Sequence, residues 1–490
     1  MAAPVAQGTT VPATVRPGLD PWLVHMIAAP AVFALLVILP VQHPPYPVRC
    51  GLGLLIWMAW WWLKRPVHIA VTGLLPLVAI SIVGALPMSQ ILPAYSDELV
   101  ILLVGANILT TTWDRWALDR RLALVTIASV GTSPRRQITI WFLVSVAFAT
   151  LLPRVVVAAT LIPIVVAMLR FVGIEDLWES WPGTALVLAI SFGSSLGGFL
   201  TPLGGAPNLL AMEFVQNMVT HHEFLFTTWI THLLPLAAAS IGAVLIYANF
   251  AFTFEESALP GTRSYFVKEL ESLGPMGRQE RWALGLFIAA VVLAFGRISF
   301  KTLVPGFTPA FAFLSCALLT FVIRPKGEKL LEWEYAQKKM MWGLFYVFAG
   351  GSALGLVLNK TGTAEYIARG IVPYASHGFV LTITIFALIT IIVAQIMSNV
   401  ASMAIMVPIA IGVAQTLHLN AMPLVYVVIA ASHCGFMLPS SSGSAAVAAG
   451  YGINLRQMLI KGAWAALICL VVIVISAYLA ATFWPGFLTA

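Results

Sequence analysis

Two long apolar stretches of the chain are interrupted near their middle by residues that suit an ion-binding site. Residues 137–170 are broken at Pro153, and residues 376–414 are broken at Ser398 and Asn399. Either Ser398 or Asn399 suits a helix N-cap, because its side-chain oxygen can accept a hydrogen bond from a free backbone N–H. Pro153 suits a first helical turn, where its missing N–H costs nothing. Each break therefore predicts a helix that begins inside the protein and directs its positive end at an anion.

Arg154, at the first break, strengthens the prediction of an anion site. A charged side chain within an apolar segment is costly and marks a functional candidate by default. Neither broken stretch contains an acidic residue, and the closest one in an apolar segment is Glu213. A cation at a helix N-terminus is electrostatically misplaced unless an anion neutralises both. Three interpretations stay open: a substrate contact, pairing with backbone carbonyls or snorkelling to the interface, and a charge that stands in for a bound cation.

Segments of small residues follow both breaks. Residues 197–205 are rich in glycine, and residues 440–444 read S-S-S-G-S. Irregular backbone at membrane depth survives only when it is buried in protein or lines a wet cavity, so both segments are predicted to line such a cavity. The serine hydroxyls suit an oxyanion, and the alternative is that small residues let helices approach closely.

The composition places these features in a membrane protein. The chain has 490 residues, of which 60% are hydrophobic and 9% are charged. Soluble domains have about 25% charged residues, so an ordinary globular protein is excluded. The net charge of +7 lies in short loops between apolar segments, which indicates membrane topology rather than nucleic-acid binding. The predicted spans are 22–41, 49–63, 67–86, 98–113, 183–216, 226–249, 282–298, 305–323, 341–358, 421–451 and 459–484.

The predicted fold is an all-α polytopic membrane protein with about 11 transmembrane helices and two re-entrant hairpins, 137–170 and 376–414. With the N-terminus inside, 20 of the 26 basic residues fall in inside loops and five fall outside. Arg154 fits neither side. The positive-inside rule then gives a multi-pass protein of the cell (inner) membrane with a cytoplasmic N-terminus and an outside C-terminus.

The two halves of the chain form an internal repeat. P-R-V-V-V-A-A-T-L-I-P ends at Pro163 and S-N-V-A-S-M-A-I-M-V-P ends at Pro408, 245 positions later (408 − 163). The charge map starts the first hairpin inside and the second outside, so the repeats are inverted, as in secondary transporters. The predicted division is a cytoplasmic tail (1–20), first-half scaffold helices (21–135), first-half transport elements (136–250), a cytoplasmic linker with second-half scaffold helices (251–375), and second-half transport elements (376–490).

From about residue 65 onward the chain resembles the divalent anion:sodium symporter family. The motifs that carry the resemblance are H-I-A-V-T-G-L-L-P-L, W-E-Y-A-Q-K-K-M-M-W-G-L, M-S-N-V-A-S-M-A-I-M-V-P and F-M-L-P. The resemblance implies a homodimer in which hairpins and broken helices move as a unit against a scaffold. It also implies a Ser-Asn-Thr motif at each hairpin tip, which contacts the substrate carboxylates and helps to hold sodium.

The chain departs from this family pattern at both tips. The second tip keeps Ser398 and Asn399 but has Val400 for threonine, and the first tip reads Pro-Arg-Val. A first sodium site therefore cannot form as in the family, and Arg154 can supply the positive charge instead. The candidate substrate-binding residues are Arg154, Ser398, Asn399, Val400, Thr201, Pro207, Asn208, Ser440, Ser441 and Ser442. Asn399 is the candidate ligand of one remaining sodium ion, and no other cofactor is expected.

The expected function is secondary-active, elevator-type transport of a small anion, either a di- or monocarboxylate or an inorganic oxyanion. One alternative is a sodium-independent anion exchanger. Another is a degenerate carrier that acts as a sensor or scaffold. The sequence has no phosphate loop, nucleophile triad or nucleotide fingerprint, so an enzyme is not expected. The expected partners are the anion, the bilayer and a second copy of the chain, with no nucleic acid.

Overall fold

The structure, a computed structural model, describes residues 21–40, 43–127, 133–252, 262–300, 302–375 and 378–488. Within these ranges the regular structure is helical and contains no β-strand, which confirms the predicted all-α class. Seven helical segments of the described chain are long and apolar enough to cross a membrane, judged by length and composition. The tail predicted for residues 1–20 lies outside the described residues.

The first half contains the helices of one repeat and the helices that precede it. Several are short because proline and glycine interrupt them. Their bounds are α1 Pro21–Ile38, α2 Tyr46–Lys64, α3 Ile69–Thr72, α4 Met88–Ile91, α5 Glu98–Arg115, α6 Leu118–Ile127, α7 Pro134–Ala149, α8 Arg154–Phe171, α9 Trp181–Gly197, α10 Ala206–Val215 and α11 Phe226–Ala251.

The second half follows the connecting helix α12, Thr262–Ser272. Its bounds are α13 Arg278–Phe295, α14 Arg297–Phe300, α15 Pro309–Val322, α16 Trp333–Lys339, α17 Trp342–Lys360, α18 Thr363–Ala375, α19 Phe379–Ile396, α20 Asn399–Thr416, α21 Ala421–Ser432, α22 Gly443–Gly450 and α23 Leu455–Phe483.

The repeat is visible in the helix bounds themselves. Adding 245 to the bounds of α8 gives those of α20, since 154 + 245 = 399 and 171 + 245 = 416. The arms α7 and α8 form the first hairpin, and α19 and α20 form the second. The same shift relates α5 to α17 and α6 to α18 within one to three residues. The broken helix α9–α10 corresponds to α21–α22.

Burial separates the hairpins from the outer helices. In α20, 89% of the most apolar window is buried, against 28% for α23. An apolar helix that is buried on all sides belongs to the protein core, while one that exposes most of an apolar surface faces lipid. Helix α20, the second arm of the second hairpin, is therefore a central element, and α23 is peripheral.

Glycine lets the first hairpin pack closely on the first broken helix. A Cβ at Gly193 would overlap the carbonyl oxygen of Phe142, and one at Gly197 would overlap that of Val146. The second arm of each hairpin, α8 or α20, contacts the broken helices of both halves. Helix α8 packs on α9 and α22, and α20 packs on α21 and α10. The four elements form one interlocked group around the two tips.

Two local predictions were wrong by a few residues. Pro153 is the N-cap of α8, with extended backbone, and does not lie in the first turn. The irregular segment between α21 and α22, called the second broken segment below, spans residues 433–442 rather than the predicted 440–444. It ends there because the Ser442 side chain caps α22 and Gly443 already lies in that helix. Both errors concern where a helix begins, which depends on a cap that several neighbouring residues could provide.

Candidate functional site

The first hairpin tip places Arg154 in the interior. Arg154 is the first residue of α8, and its side chain is 5% exposed. Its Nη2 lies 3.7 Å from the position that a Cβ would take on Gly205. The guanidinium therefore borders the first broken segment, residues 198–205, which joins α9 to α10. Its Nη1 is buried without a hydrogen-bond partner. Across the described ranges, no acidic side chain forms an ion pair with it.

The first broken segment is closed by Asn208, in the first turn of α10. Its Nδ2 donates to the carbonyls of Gly198 (2.6 Å) and Thr201 (2.7 Å). The Oδ1 of the same amide is buried without a partner. The hydroxyl of Thr201 donates to the carbonyl of Thr150 at the first tip, and buried Pro207 is the second residue of α10. Thr201 and Asn208 therefore shape the segment and tie it to the first tip.

The second hairpin tip is capped by its own side chain. The Oγ of Ser398 accepts the backbone N–H of Ala401 at 3.3 Å, which confirms the predicted N-cap. Asn399 is 4% exposed, and its Nδ2 donates to the carbonyl of Ser432 at the end of α21. Val400, in place of the threonine expected from the resemblance, is also buried.

Gln395 holds the second broken segment, and sequence reasoning missed it. Its Nε2 donates to the carbonyl of Cys434 at 2.7 Å. Its Oε1 accepts the backbone N–H groups of Phe436 and Met437, each at 3.0 Å. A buried glutamine near the end of the otherwise apolar arm α19 was the available signal. The equivalent residue in the first half, 245 positions earlier, is Thr150. Its backbone carbonyl accepts a hydrogen bond from the hydroxyl of Thr201 in the first broken segment.

The predicted serine cluster is largely occupied by bonds within the protein. Ser441 donates to the carbonyl of Leu438 at 2.6 Å. Ser442 caps α22, and its hydroxyl also lies 3.1 Å from that of Ser444. Ser440 contributes its backbone carbonyl, which accepts a hydrogen bond from the exposed Arg65. These contacts favour a role in shaping the segment.

The two tips converge on the end of α21. Asn399 bonds the carbonyl of Ser432, and the next residue, His433, interacts electrostatically with Arg154. The Nδ1 of His433 lies 2.9 Å from the carbonyl of Ile429, so it carries the proton and leaves Nε2 as a buried acceptor. The predicted site residues at the two tips are thus neighbours through α21.

Glycine also joins the first tip to the second half. A Cβ at Gly443 would overlap Cγ2 of Val155, so the first turn of α8 rests directly on the start of α22. This contact places both helix N-termini in one region. The first turn of α8 has no side-chain cap, because Pro153 offers no acceptor atom. Its free N–H groups therefore add to the positive charge of Arg154.

A large cavity of about 670 Å³ leads to the first tip. Its wall is formed by α5, α6, α12 and one face of α8, and it reaches Val155. The basic side chains in this wall are paired, Arg120 with Glu269 and Lys339 with Asp114. Arg154, which has no ion-pair partner among the described residues, directly precedes Val155 in the chain.

Asp119 joins the wall of this cavity to the hairpin. It lies on α6 and accepts a 2.7 Å hydrogen bond from Thr160 on α8. Burial raises the pKa of the Asp119 carboxyl above its ordinary value, and the Thr160 hydrogen bond lowers it in part. This hydrogen bond links α6 to α8.

The described residues contain no group of three or more His, Cys, Asp or Glu side chains arranged for a metal ion. A sodium ion would instead need neutral oxygen ligands. Asn399 is the predicted ligand, and its amide nitrogen is already turned toward the Ser432 carbonyl. That orientation directs its oxygen away from the Ser432 carbonyl.

Comparisons with known proteins agree with the resemblance to divalent anion:sodium symporters. The sequence profile of the citrate transporter family matches residues 54–431 and 309–487. The sodium-dependent dicarboxylate transporter SdcS of Staphylococcus saprophyticus is 28% identical over 481 residues, covering 93% of this chain and 91% of its own. SdcS of Staphylococcus aureus is 25% identical over 476 residues, with 93% and 90% covered.

A solved structure shares the fold. The YdaH transporter of Alcanivorax borkumensis matches with a TM-score of 0.53 and 12% identity, over 90% of this chain and 100% of that one. At this identity the match concerns the fold alone. The family profile, which spans most of the sequence, identifies a transporter rather than an enzyme. The chain belongs to the citrate transporter family.

Proposed function

We propose that this protein carries a small carboxylate anion across the inner membrane by secondary-active alternating access, with Arg154 as the charge anchor. The observation that carries the proposal is a buried arginine without an acidic partner at an uncapped helix N-terminus. The relatives named above are dicarboxylate transporters. A dicarboxylate or tricarboxylate is therefore the first class of substrate to test.

The electrostatics of the first tip favour an anion of this kind. An uncompensated buried charge costs several kcal/mol or more, about 3–5 when a pair is broken. The free N–H groups of α8 add a positive partial charge of about half an elementary charge. A carboxylate beside Arg154 would accept hydrogen bonds from both. A planar guanidinium also matches the two oxygens of a carboxylate in bidentate geometry.

A second carboxylate would have partners at the second tip. Ser398 is half-buried, and Asn399 reaches the end of α21, where His433 interacts with Arg154. Backbone N–H groups at the start of α20 complete the site. The bound anion would therefore lie between the two tips, and Thr201, Asn208 and the serines of residues 440–442 would fix the shape of the surrounding segments.

Two cavities related by the repeat support alternating access. A smaller cavity of about 400 Å³ lies on the α18–α20 side of the molecule, against about 670 Å³ for the cavity beside α8. Six of its lining residues are 245 positions after residues that line the larger one. They are Asn359, Gly362, Ala364, Glu365, Arg369 and Gly412, which correspond to Asp114, Ala117, Asp119, Arg120, Leu124 and Ala167.

The unequal depth of the two cavities indicates which side is open. The larger one reaches Val155 at the first tip, while the smaller one stops at Gly412, far from the second tip. Helix α20 packs directly on α17, whereas the larger cavity separates α8 from α5. With the predicted orientation this is an inward-facing state. Exchanging the arrangements of the two repeats would give the outward-facing state, with hairpins and broken helices moving as a unit.

The coupling mode follows from the difference between the tips. At the first tip, Arg154 takes the place of one cation. At the second, Asn399 with nearby backbone carbonyls would hold one sodium ion, in keeping with the sodium dependence of the named relatives. Sodium-independent exchange is the competing mode, and uptake measured with and without a sodium gradient separates the two. We further propose a homodimer with a cytoplasmic N-terminus and an outside C-terminus.

A thermal-unfolding screen of the purified protein tests the function. Citrate, succinate, sulfate and phosphate are compared, each with and without sodium, in the wild type and in Arg154→Ala. We expect a carboxylate to raise the unfolding midpoint of the wild type by several degrees, since a ligand that binds only the folded state stabilises it. Arg154→Ala should lose this response.

Arg297→Ala is the matched control. Arg297 is as buried as Arg154, at 6% exposed, but it is paired with Glu223. Its removal should lower the midpoint without removing the carboxylate response. A wild type that responds to none of the four anions and transports none of them would instead favour a sensor or scaffold. An unchanged response in Arg154→Ala would reject Arg154 as the anchor.

A further inference from the structure

Glu213 is a buried carboxyl group that anion binding at the tips does not use. It lies on α10 and is 4% exposed. The hydroxyl of Ser352, on α17, donates to its Oε1. Its Oε2 is buried without a partner. The carboxyl therefore sits at the contact between a broken helix and a helix predicted to belong to the scaffold.

Among the described residues, no basic side chain is paired with Glu213. The elements packed on α10 are α5, α17, α20, α21 and the short turns that flank it. Of the ionisable groups on these elements, only Asp97, itself an acid, interacts electrostatically with Glu213. The others are Glu98, Asp114 and Arg115 on α5, Tyr346 and Lys360 on α17, and Tyr426 on α21.

A carboxylate in this position would be unstable. It would be buried in apolar surroundings beside another acid, with one hydroxyl as its partner. A buried ionised group without a counter-charge is strongly disfavoured relative to the neutral form. The contact between α10 and α17 therefore requires that Glu213 hold a proton, with Oε2 as the free oxygen.

The remaining contacts of this interface are apolar and fit into a groove of glycines. A Cβ at Gly351 would come within 3.0 Å of Leu210, and one at Gly355 would overlap the ring of Phe214. Leu210 and Phe214 lie on the same helix as Glu213 and are buried. A glycine groove without ion pairs can form and separate as a unit, and the carboxyl is its one ionisable group among the described residues.

The repeat has an acidic side chain at this contact in one half only. Ser352 corresponds to Asn107 (352 − 245). The broken-helix ends α10 and α22 begin 237 positions apart (443 − 206), so Glu213 corresponds to Gly450 (213 + 237). The large cavity lies beside Asn107, so the equivalent contact of α22 with α5 is open in this state. That contact can close without a proton because it contains no acid at the equivalent position.

From this geometry we propose that Glu213 is a proton-binding site, and that α10 docks on α17 only when a proton from the outside water has bound to it. The proposal rests on the alternating-access function given above. In the outward-facing state α10 leaves α17, and water reaches the carboxylate. One proton then moves from water to Glu213, the interface closes, and the proton returns to water when the interface opens again.

Uptake of radiolabelled succinate by proteoliposomes, with internal pH fixed and external pH varied from 5.5 to 8.5, tests this site. Wild-type uptake should fall as external pH rises, by up to about tenfold per unit where one proton is limiting. Glu213→Gln mimics the protonated group, so its profile should be flat within about twofold. Ser352→Ala keeps the carboxyl and should keep a pH-dependent profile.

Cysteine labelling gives a readout that does not require transport. Leu210→Cys, otherwise wild type, would be exposed to a membrane-impermeant maleimide on intact cells. The labelling rate is divided at each pH by that of free glutathione, because the ionisation of any thiol raises its own reactivity toward maleimide as pH rises. The normalised rate should be several-fold higher at external pH 8.5 than at 5.5, and low at both in the Glu213→Gln background. The unmodified parent gives the background, since its four cysteines are buried.

The outcomes separate this proposal from the proposed function. If the wild type takes up no carboxylate at any pH, transport fails, and labelling alone still decides on Glu213. If uptake occurs but neither uptake nor labelling changes with pH, the proton site is rejected and transport stands. If Glu213→Gln does not fold, labelling of Leu210→Cys with Glu213 intact decides the question.

Discussion

The two hairpin tips occupy equivalent places in the repeat but differ in how they satisfy a helix N-terminus. At the second tip, Ser398 caps α20 and Asn399 bonds the end of α21. At the first tip, Pro153 provides no cap and Arg154 lies buried with an unpartnered nitrogen. The second tip therefore has its helix cap and its amide partner within the protein. The first carries excess positive charge, which an anion would balance.

The same inequality appears in the cavities. The uncapped tip faces the deep cavity, and the capped tip is covered by helix packing on its side. If a transporter built from an inverted repeat opens to one side of the membrane at a time, its two cavities must differ in depth in any single conformation. The chemistry of the tips is a permanent difference, however, while the depth of the cavities is expected to exchange during the cycle.

Of the variants considered, those at Arg154 are expected to have the largest effect on the difference between the two tips. Arg154→Ala should weaken carboxylate affinity by about 2–5 kcal/mol, because it removes one partner of a buried charge pair. This corresponds to roughly 30-fold to several-thousand-fold in the dissociation constant. Arg154→Lys keeps the charge but loses the planar fork, so its loss should be intermediate. Equilibrium binding of succinate measures both effects. Equal affinity in all three proteins would show that Arg154 does not bind the carboxylate.

Filling the contact between the first tip and α22 should have the next largest effect. A Cβ at Gly443 would overlap Val155, so Gly443→Ala should destabilise the protein by about 1–3 kcal/mol through overpacking. Gly450→Ala, on the same helix, is the control, because a Cβ there meets nothing within 4 Å. Thermal unfolding measures both. Equal midpoints would show that the first tip does not rest on Gly443.

Removing the cap of the second tip should have a moderate effect. Ser398→Ala deletes the acceptor for the Ala401 N–H and should cost about 1 kcal/mol of stability. Ser398→Thr keeps an oxygen at this position and should stay close to the wild type. Thermal unfolding and succinate uptake are compared in parallel. If the alanine variant were as stable as the threonine one, the capping role would be wrong.

The smallest effect is expected at Arg65. Its guanidinium donates to the carbonyl of Ser440 at 3.2 Å from an exposed position. Exposed charged contacts contribute less than about 1 kcal/mol. Arg65→Ala should therefore leave the unfolding midpoint nearly unchanged, with Arg65→Lys as the control. A large drop in the alanine variant alone would assign Arg65 a structural role at the second broken segment.

Local features of the sequence were enough to predict much of the fold. The breaks at Pro153 and Ser398 are visible because polar residues interrupt long apolar runs. The 245-residue repeat is visible because it preserves Pro163 and Pro408, and the helix bounds of α8 and α20 follow it. These signals depend on neighbours in the chain, which sequence periodicity reports directly.

Contacts between distant segments could not be predicted in the same way. Gln395 binds residues about 40 positions away, and Glu213 meets Ser352 across 139 positions. The serines near residue 440 look free in the sequence, but the structure turns Ser441 toward its own backbone. If the protein alternates between two states as proposed, one sequence encodes both, so it cannot specify which cavity is the deeper.

Sodium dependence of anion binding tests the difference between the tips most directly. Succinate affinity would be measured over a range of sodium concentrations in the wild type and in a variant with Pro153→Ser, Arg154→Asn and Val155→Thr, after gel filtration confirms folding. If Arg154 replaces a cation, the variant should require about one more sodium ion than the wild type for each anion bound. The same sodium dependence with undiminished affinity in both proteins would contradict the role of Arg154.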